Sequence, residues 1–373
     1  MCGVATFTSE LGRVAGDREV VVLHPPEEVA PYPIEVHHRI RRDERTDYAE
    51  VASKLASCVD VAAIQHDYGI WGGPDGEAVL DFVQALRIPS VATLHAVLPE
   101  PTARQRAILL ELVAATDATI VTSNAAAMLL ADVYGVDPTT TEVIPHGVPS
   151  LPIVEPAPMK AALDLAGRDI ILSVGLLSPR KNYELVIDAL PAIIAEHPAV
   201  CYVIVGSTHP DHLRLEGERY RTSLEARVAK LRLGGHVRFV DRFVGRVELM
   251  RWLQAADILV TPFRDLDRVA SGSLAYAMGA GRAVVSTPYA YAVELLSDDR
   301  GVLVEPDSSG AFAAAIDGLL RDDDRRAALG RRAHEHSRGM LWSVVGGRYE
   351  QLLSRVAAAR PTPMVHGRRI VRA

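Results

Sequence analysis

The stretch IILSVGLLSPRKNYELVIDAL, from Ile170 to Leu190, predicts a buried strand, a glycine turn and a helix. Its opening aliphatic run is typical of a parallel strand, and the later apolar positions follow helical spacing. Gly175 permits a tight turn, and Arg180 and Lys181 stand just before the helix. Free backbone N–H groups at a helix start, beside two cations, favour a diphosphate. An ordinary loop with solvated charges is the alternative.

The same alternation of strands and helices continues through both halves of the chain. Strands are predicted at Val20–Leu23, Val61–Ile64, Ser90–Leu94, Ala118–Val121, Ile170–Val174, Val200–Val205, Val237–Val240, Ile258–Val260 and Ala283–Ser286. Helical patterns lie between these strands. Such alternation indicates parallel sheets covered by helices on both faces.

A proline-rich segment, VPSLPIVEPAP at Val148–Pro158, interrupts the alternation and predicts a linker. We therefore predict an α/β fold of two Rossmann-like, doubly wound domains facing a cleft. The expected divisions are an N-terminal acceptor domain at 1–150 and a donor domain at 151–340. A helix at 341–358 is expected to cross back to the first domain, and 359–373 to form a flexible tail.

Composition narrows the functional classes. The chain has 373 residues, is 49% hydrophobic and carries a formal net charge of −7, which favours two cores and argues against nucleic-acid binding. Its three cysteines, Cys2, Cys58 and Cys201, are too widely spaced to suggest a zinc site or a disulfide framework. The sequence shows neither a signal peptide nor an apolar run approaching the ~20 residues of a membrane span. We expect a cytoplasmic protein without stable membrane insertion.

A second segment, RVASGSLAYAMGAGRAVVSTPYAYAVELL from Arg268 to Leu296, contains another predicted helix start. Backbone amides and hydroxyls at Ser271, Gly272 and Ser273 are suited to holding phosphate oxygens. A small-residue helix packed tightly on a sheet is the alternative interpretation.

Several motifs occur together in a fixed order, and their combination is more specific than any one of them. They are CGVATFTSEL (Cys2–Leu11), HDYGIWGG (His66–Gly73), TLH (Thr93–His95), VTSN (Val121–Asn124), IPHGV (Ile144–Val148), GLLSPRKN (Gly175–Asn182) and SGSLAYAMGAGRAVVSTPYAYAVELL (Ser271–Leu296). With these motifs the chain resembles the retaining glycosyltransferases of family 4, which have the GT-B fold. Within that family it looks most like the mannosyltransferase-like branch.

The resemblance implies transfer of a hexose from a nucleoside diphosphate sugar, GDP-mannose or a UDP-hexose, to an acceptor hydroxyl. It implies no metal and no cofactor beyond this co-substrate. Lys181 matches the family lysine that contacts the diphosphate, and Arg180 is expected to share that role. Gly175 and Gly206 are expected beside the nucleotide, with Ser271–Ser273 holding phosphate.

The resemblance also assigns residues in the first domain. His95 matches the family histidine at the cleft and is expected to contact the sugar. His66, Asp67, Tyr68 and Gly69 are expected to form a polar loop that recognises the acceptor or the donor sugar. Structural roles for these residues are the alternative.

The N-terminal end of the chain supplies two further assignments. Gly3 and Thr6 match an N-terminal glycine loop near the diphosphate. The family's first strand normally precedes that loop and is absent from this sequence, which predicts either a start codon assigned too late or a first sheet that lacks a core strand.

Departures from the family pattern support two further hypotheses. The family signature has two glutamates at positions that here are Arg268 and Tyr276, which we assign to donor binding. Their replacement favours a non-catalytic nucleotide-sugar-binding or scaffold protein as the main alternative. A sugar-nucleotide 2-epimerase is a lesser one. The acceptor stays open among saccharides, lipid-linked molecules and small molecules, and a lipid acceptor would place the protein at the inner face of the membrane.

Overall fold

The computed structural model describes residues 3–14, 16, 18–24, 32 and 36–359, and the backbone of 369–372. Up to residue 147 the elements are α1 (Gly3–Val14), β1 (Arg18–His24), β2 (Val36–Arg41), α2 (Arg45–Leu55), β3 (Val59–His66), α3 (Ala78–Ala85), β4 (Ser90–Leu94), α4 (Ala103–Ala115), β5 (Ala118–Val121), α5 (Asn124–Tyr134) and β6 (Thr141–Val143). From residue 148 they are α6 (Ala157–Ala162), β7 (Asp169–Val174), α7 (Tyr183–Glu196), β8 (Val200–Val205), α8 (Pro210–Glu216), α9 (Arg219–Lys230), β9 (Val237–Val240), α10 (Arg246–Ala255), β10 (Ile258–Thr261), α11 (Gly272–Gly279), β11 (Ala283–Ser286), α12 (Ala290–Leu296), β12 (Val302–Leu303), α13 (Ser309–Arg321) and α14 (Asp323–His336). The last two are α15 (Trp342–Ala359) and β13 (Arg369–Arg372).

The chain divides into two compact units. Val148–Leu341 form one, which we call the C-terminal unit, while Cys2–Gly147 and Trp342–Ala373 form the other, the N-terminal unit. The N-terminal unit has a seven-stranded sheet in the order β2-β1-β13-β3-β4-β5-β6, and the C-terminal unit a six-stranded sheet in the order β12-β11-β10-β7-β8-β9. All the strand pairings in both sheets are parallel. The predicted α/β class is confirmed.

In the C-terminal unit the sheet is buried on both faces. Successive residues of a strand point to opposite faces. Ile170 and Leu172 of β7 accordingly join one apolar core, and Ile171 between them joins another. Every residue of β8 is buried. This pattern explains why the strands of this unit appear in the sequence as continuous aliphatic runs.

In the N-terminal unit, α15 contributes to the same core as α1, β3 and β4. Trp342, Val345 and Tyr349 pack there with Phe7. Gly147 lies so close to Trp342 that a Cβ atom at this position would be 2.2 Å from the indole ring. Glycine at position 147 therefore permits the close contact between the backbone there and Trp342 at the start of α15.

The position between β1 and β3 is occupied by β13. Glu19 of β1 pairs with Val371, which also pairs with Ala62 of β3. The sequence predicted a sheet lacking its first strand, and the C-terminal segment fills a central position of that sheet. Residues 369–372 thus differ from the expected flexible tail, while 360–368 and 373 lie outside the described residues.

Because β13 pairs on both sides, loss of one of its backbone donors should weaken the whole N-terminal unit. We expect Val371→Pro to lower the free energy of unfolding of this unit by about 1–3 kcal/mol, since proline removes a backbone N–H donor from the strand ladder and leaves its acceptor without a partner. Val371→Thr keeps the donor and β-branching and serves as the control. Amide hydrogen exchange of β1 and β3 is the measurement. Equal protection in both variants would show that β13 does not stabilise this sheet.

None of the helices in the described part of the chain is long and apolar enough to cross a membrane.

Candidate functional site

A glycine follows each of the adjacent strands β7 and β8, at the carboxyl edge of the sheet in the C-terminal unit. Gly175 follows β7 with φ of 131°, and Gly206 follows β8 with φ of 148°. A Cβ atom on Gly206 would lie 2.1 Å from the carbonyl oxygen of Gly175. The two loops approach too closely for any other residue at 206, so this edge exposes backbone, as a nucleotide site requires.

Two cations meet beside this edge over one aromatic ring. The Lys181 ammonium lies 3.9 Å from the centre of the Phe263 ring, and the Arg268 guanidinium carbon lies 5.1 Å from it. Burial, and secondarily the charge of Arg268, lower the pKa of Lys181 well below its usual range. The face of the Phe263 ring stabilises each cation, but the two positive charges repel each other.

The nearest carboxylate only partly neutralises this pair. Asp265 lies 3.7 Å from Arg268. Among the described residues, no carboxylate forms an ion pair with Lys181, and Arg268 Nε is buried without a hydrogen-bond partner. An anion placed here would relieve the repulsion and supply the missing acceptor. Lys181, Arg268 and Phe263 therefore define a candidate anion site.

Arg180 does not share the environment of Lys181. Its side chain is 72% exposed and lies 3.7 Å from Asp265. Pro179–Lys181 form a short 3-10 turn, and Asn182 follows in a left-handed conformation with φ of 53°. Neighbouring side chains diverge in such a turn, so Lys181 is half-buried while Arg180 points to solvent.

The predicted phosphate-holding segment begins a helix. Ser271 is the N-cap of α11: its hydroxyl accepts from the Leu274 N–H at 3.4 Å and lies 3.2 Å from the Ser273 hydroxyl. First-turn N–H groups, here including those of Gly272 and Ser273, have no acceptor within the helix. This local geometry is suited to phosphate oxygens.

Tyr276, predicted to bind the donor, is only 7% exposed and belongs to the apolar core of the C-terminal unit. It lies one turn into α11, in a run from Leu274 to Gly279 that is buried throughout. This burial gives Tyr276 a packing role and does not support a donor contact.

In the N-terminal unit the predicted recognition loop is partly a strand. His66 is the last residue of β3 and is fully buried, not part of a loop. Asp67 accepts from the Gly69 N–H at 2.9 Å, which closes a turn. The Tyr68 hydroxyl donates to the Gln105 carbonyl at 3.2 Å. Asp67, Tyr68 and Gly69 thus make local contacts within the N-terminal unit.

His95 directly follows β4 and is oriented by a residue that the sequence analysis missed. Its Nε2 atom lies 2.8 Å from the amide oxygen of Gln65. An amide oxygen only accepts, so Nε2 carries the proton and Nδ1 is left as an acceptor. The Phe7 ring packs edge-on against His95 at 4.8 Å. Burial lowers the pKa of His95 to about 3, so the ring is neutral.

Gly3 and Thr6 were predicted to lie in a glycine loop, but both lie in α1. Both residues stand in the first turn of α1, where N–H groups have no acceptor within the helix, so any phosphate contact here would come from a helix start and not from a loop. The glycine-loop prediction is therefore wrong for the conformation of these residues.

Buried neutral histidines predict acid sensitivity of the N-terminal unit. Burial lowers the pKa of His66 to about 4, and neither ring nitrogen has a hydrogen-bond partner among the described residues. The unfolded state, with a pKa near 6.5, binds the proton first, so stability falls as pH falls from about 6.5 toward 4. From pH 7 to pH 5 we expect His66 to account for about 2 kcal/mol of lost stability.

The measurement is urea unfolding at both pH values, followed by the fluorescence of Trp71 and Trp342 in a Trp252→Phe background. His66→Phe should remove most of the His66 contribution, because the ring makes no polar contact that phenylalanine would lose. His37→Gln, at an exposed position, is the control for the replacement of a histidine. Identical pH dependence in wild type and His66→Phe would refute the assignment.

Two family models match the chain. "Glycosyltransferase Family 4" matches residues 1–150, and "Glycosyl transferases group 1" matches residues 159–336. The chain therefore belongs to glycosyltransferase family 4, whose GT-B fold consists of two Rossmann-like domains.

Curated relatives are similar over part of their length. A phosphatidyl-myo-inositol mannosyltransferase of Mycolicibacterium smegmatis is 30% identical over 60% of this chain and 54% of its own. A D-inositol 3-phosphate glycosyltransferase of Kineococcus radiotolerans is 30% identical over 63% of this chain and 56% of its own. The matched region thus spans little more than half of these relatives.

Solved structures share the fold. Sucrose-phosphate synthase of Thermosynechococcus elongatus is 19% identical, covers 96% of this chain and 93% of its own, and has a TM-score of 0.76. Alr3699/HepE of Anabaena, solved in complex with UDP, is 20% identical, covers 83% of this chain and 82% of its own, and has a TM-score of 0.68.

Proposed function

We propose that this protein transfers a hexose, with mannose favoured, from a nucleoside diphosphate sugar to an acceptor hydroxyl with retention of configuration. The observation that supports the proposal is the pair of cations, Lys181 and Arg268, over the Phe263 ring. They lie at the edge of the sheet where Gly175 and Gly206 follow their strands. Departure of a diphosphate from a sugar develops negative charge, and preorganised cations stabilise it. The amides of Ser271–Ser273 would hold phosphate oxygens in the same unit.

Mannose and an inositol-containing acceptor are proposed from relatives. One relative's name is phosphatidyl-myo-inositol mannosyltransferase, and another, from Corynebacterium glutamicum, is a GDP-mannose-dependent mannosyltransferase acting on a phosphatidylinositol monomannoside. The first acceptors to test are therefore inositol 3-phosphate and phosphatidylinositol. A lipid acceptor would place the protein at the inner face of the membrane.

His95 is proposed to contact the sugar as a neutral hydrogen-bonding group. The Gln65 contact directs its Nε2 proton inward and leaves Nδ1 as an acceptor. Such a group can bind a sugar hydroxyl without adding charge. The proposal invokes no metal: the protein cations would neutralise the leaving diphosphate.

The test is calorimetric titration with GDP, UDP and their mannose and glucose conjugates, followed by turnover with the inositol acceptors. Selective binding of one nucleotide, together with formation of a glycosylated acceptor, is expected. No nucleotide binding would overturn the proposal.

A non-catalytic nucleotide-sugar-binding protein is the second candidate, because Arg268 and buried Tyr276 occupy the positions of the family glutamates. Selective binding without turnover on any tested acceptor would favour it. Epimerisation of the donor sugar at C2 in the absence of any acceptor would instead indicate a sugar-nucleotide 2-epimerase.

A further inference from the structure

Three metal-ligating side chains meet in the N-terminal unit, whereas Lys181, Arg268 and Phe263 belong to the C-terminal unit. The donor atoms of Glu19, His38 and Cys58 all lie within 4.8 Å of one another. His38 Nε2 is 2.8 Å from Glu19 Oε2, and the Cys58 sulfur is 3.5 Å from the same oxygen. We propose that these three residues bind a zinc ion.

The fold, not sequence spacing, brings the ligands together. Glu19 lies near the start of β1, and His38 lies on β2, where alternation gives it the inner face with Ile40 while His37 and Arg39 are exposed. Cys58 ends the turn between α2 and β3, and its backbone N–H donates to the Leu55 carbonyl at 3.0 Å. Two strands and a hydrogen-bonded turn thus fix the three side chains.

The spacing suits tetrahedral zinc. Bonds of about 2.0–2.3 Å separate neighbouring ligand atoms by about 3.3–3.8 Å. The separation of 3.5 Å between the Cys58 sulfur and the Glu19 oxygen already falls in this interval. The His38–Glu19 pair would open slightly as the metal replaces the shared proton.

The ligand chemistry favours zinc over hard cations. A thiolate, an imidazole and a carboxylate form a mixed S, N, O set that Mg²⁺ and Ca²⁺ disfavour. The side chains of His38 and Glu19 are only 18% and 15% exposed, so water competes weakly. Metal binding would release the thiol proton, and the thiolate and the Glu19 carboxylate would together balance the Zn²⁺ charge. A water molecule would complete the coordination.

The position of the cluster indicates a structural role. Glu19 and Cys58 lie near the amino ends of β1 and β3, whereas His66 and His95 lie at the carboxyl ends of β3 and β4. In the sheet order β13 separates β1 from β3. Zinc would therefore tie together the two sides of the sheet into which the C-terminal strand inserts.

The experiment is a Co²⁺ titration of the full chain, followed by displacement with Zn²⁺. We expect one equivalent of Co²⁺ with a near-ultraviolet thiolate charge-transfer band. Cys58→Ser should abolish that band, while Cys2→Ser should keep it. His38→Gln should keep the band but weaken the affinity by more than about tenfold, because loss of a direct ligand costs at least as much as loss of the residue that orients one. Zinc should raise the melting temperature of wild type and not of Cys58→Ser.

Two outcomes would overturn the proposal. Co²⁺ binding without a thiolate band would indicate adventitious binding by surface histidines such as His209 and His212. Loss of the band in Cys2→Ser but not in Cys58→Ser would assign the thiolate elsewhere. Circular dichroism of each variant without metal checks that it is folded, and His38→Gln keeps the test valid if Cys58→Ser does not fold.

Discussion

Lys181→Ala should weaken binding of the preferred nucleoside diphosphate roughly 10- to 150-fold, because a charge-assisted phosphate contact contributes about 1.5–3 kcal/mol. Burial and Arg268 already lower the pKa of Lys181, so its ammonium is poorly stabilised without an anion. A bound diphosphate would supply the missing negative charge and raise that pKa. Calorimetric titration with GDP and UDP is the measurement, with turnover as the second readout.

The aromatic contact makes a sharper control possible. The Lys181 side chain lies over Phe263, so alanine removes packing as well as charge. Lys181→Met keeps an unbranched stem over the ring and removes only the charge, and it should lose nearly as much affinity as Lys181→Ala. Lys230→Ala, on an exposed position of α9, should bind like wild type. Near-wild-type binding by Lys181→Met would remove the ammonium from the proposed mechanism.

The sequence was sufficient to predict the central strands because they are buried on both faces. All residues of β8, β10 and β11 are buried, so each appears as a short aliphatic run. Edge strands lack this signal. Half of the six residues of β2, VHHRIR, are exposed, and the three residues of β6 are too few to form a pattern. Neither strand was predicted.

The candidate site was predictable where chemistry and chain position coincide. The sequence pattern places Lys181 before a helix and Gly175 and Gly206 after strands, whereas their assignment to the nucleotide came from the resemblance. Phe263 was missed because an aromatic residue after an apolar strand looks like core. Gln65 carried a usable signal, since a polar residue inside the aliphatic run of β3 needs a buried partner.

Two errors had different causes: one came from assigning conformation by resemblance, the other from strand pairing between distant segments. The motif at Gly3 and Thr6 was assigned to a loop, although Val4, Phe7 and Leu11 have the spacing of an amphipathic helix, and Phe7 and Leu11 are buried in α1. The strand β13 was missed because its partners are far away in the sequence. Pairing over more than 300 residues leaves no local pattern.

Gly206→Ala should destabilise the C-terminal unit by about 2–5 kcal/mol, adding the cost of a rare backbone conformation to that of overpacking. Its φ of 148° is outside the range that alanine readily adopts, and its Cβ would lie 2.1 Å from the Gly175 carbonyl oxygen and 2.8 Å from the carbonyl carbon. These contacts are with backbone, so no side-chain rotation relieves them. The loops after β7 and β8 must separate.

Separation of those loops should also affect donor binding. The Lys181 ammonium lies 3.8 Å from the position a Cβ atom would take on Gly175, so a shift of the Gly175 loop moves the cation relative to Phe263. We therefore expect the Gly206→Ala protein that remains folded to bind nucleotide at least tenfold more weakly, since misplacing one charge-assisted contact costs about 1.5 kcal/mol or more.

Gly217→Ala is the matched control for backbone conformation. Gly217 also has a positive φ, 62°, but a Cβ atom there would meet no atom within 4 Å. It should lose about 1–3 kcal/mol and keep wild-type nucleotide affinity, because a backbone conformation that glycine alone readily adopts, with φ of 62° and ψ of −144°, is its single cost. Urea unfolding and calorimetric titration of the two variants distinguish the cost of the backbone conformation from the cost of the close contact with the Gly175 carbonyl. If Gly206→Ala were as stable and as tight a nucleotide binder as Gly217→Ala, the contact between the two glycine loops would not maintain the donor site.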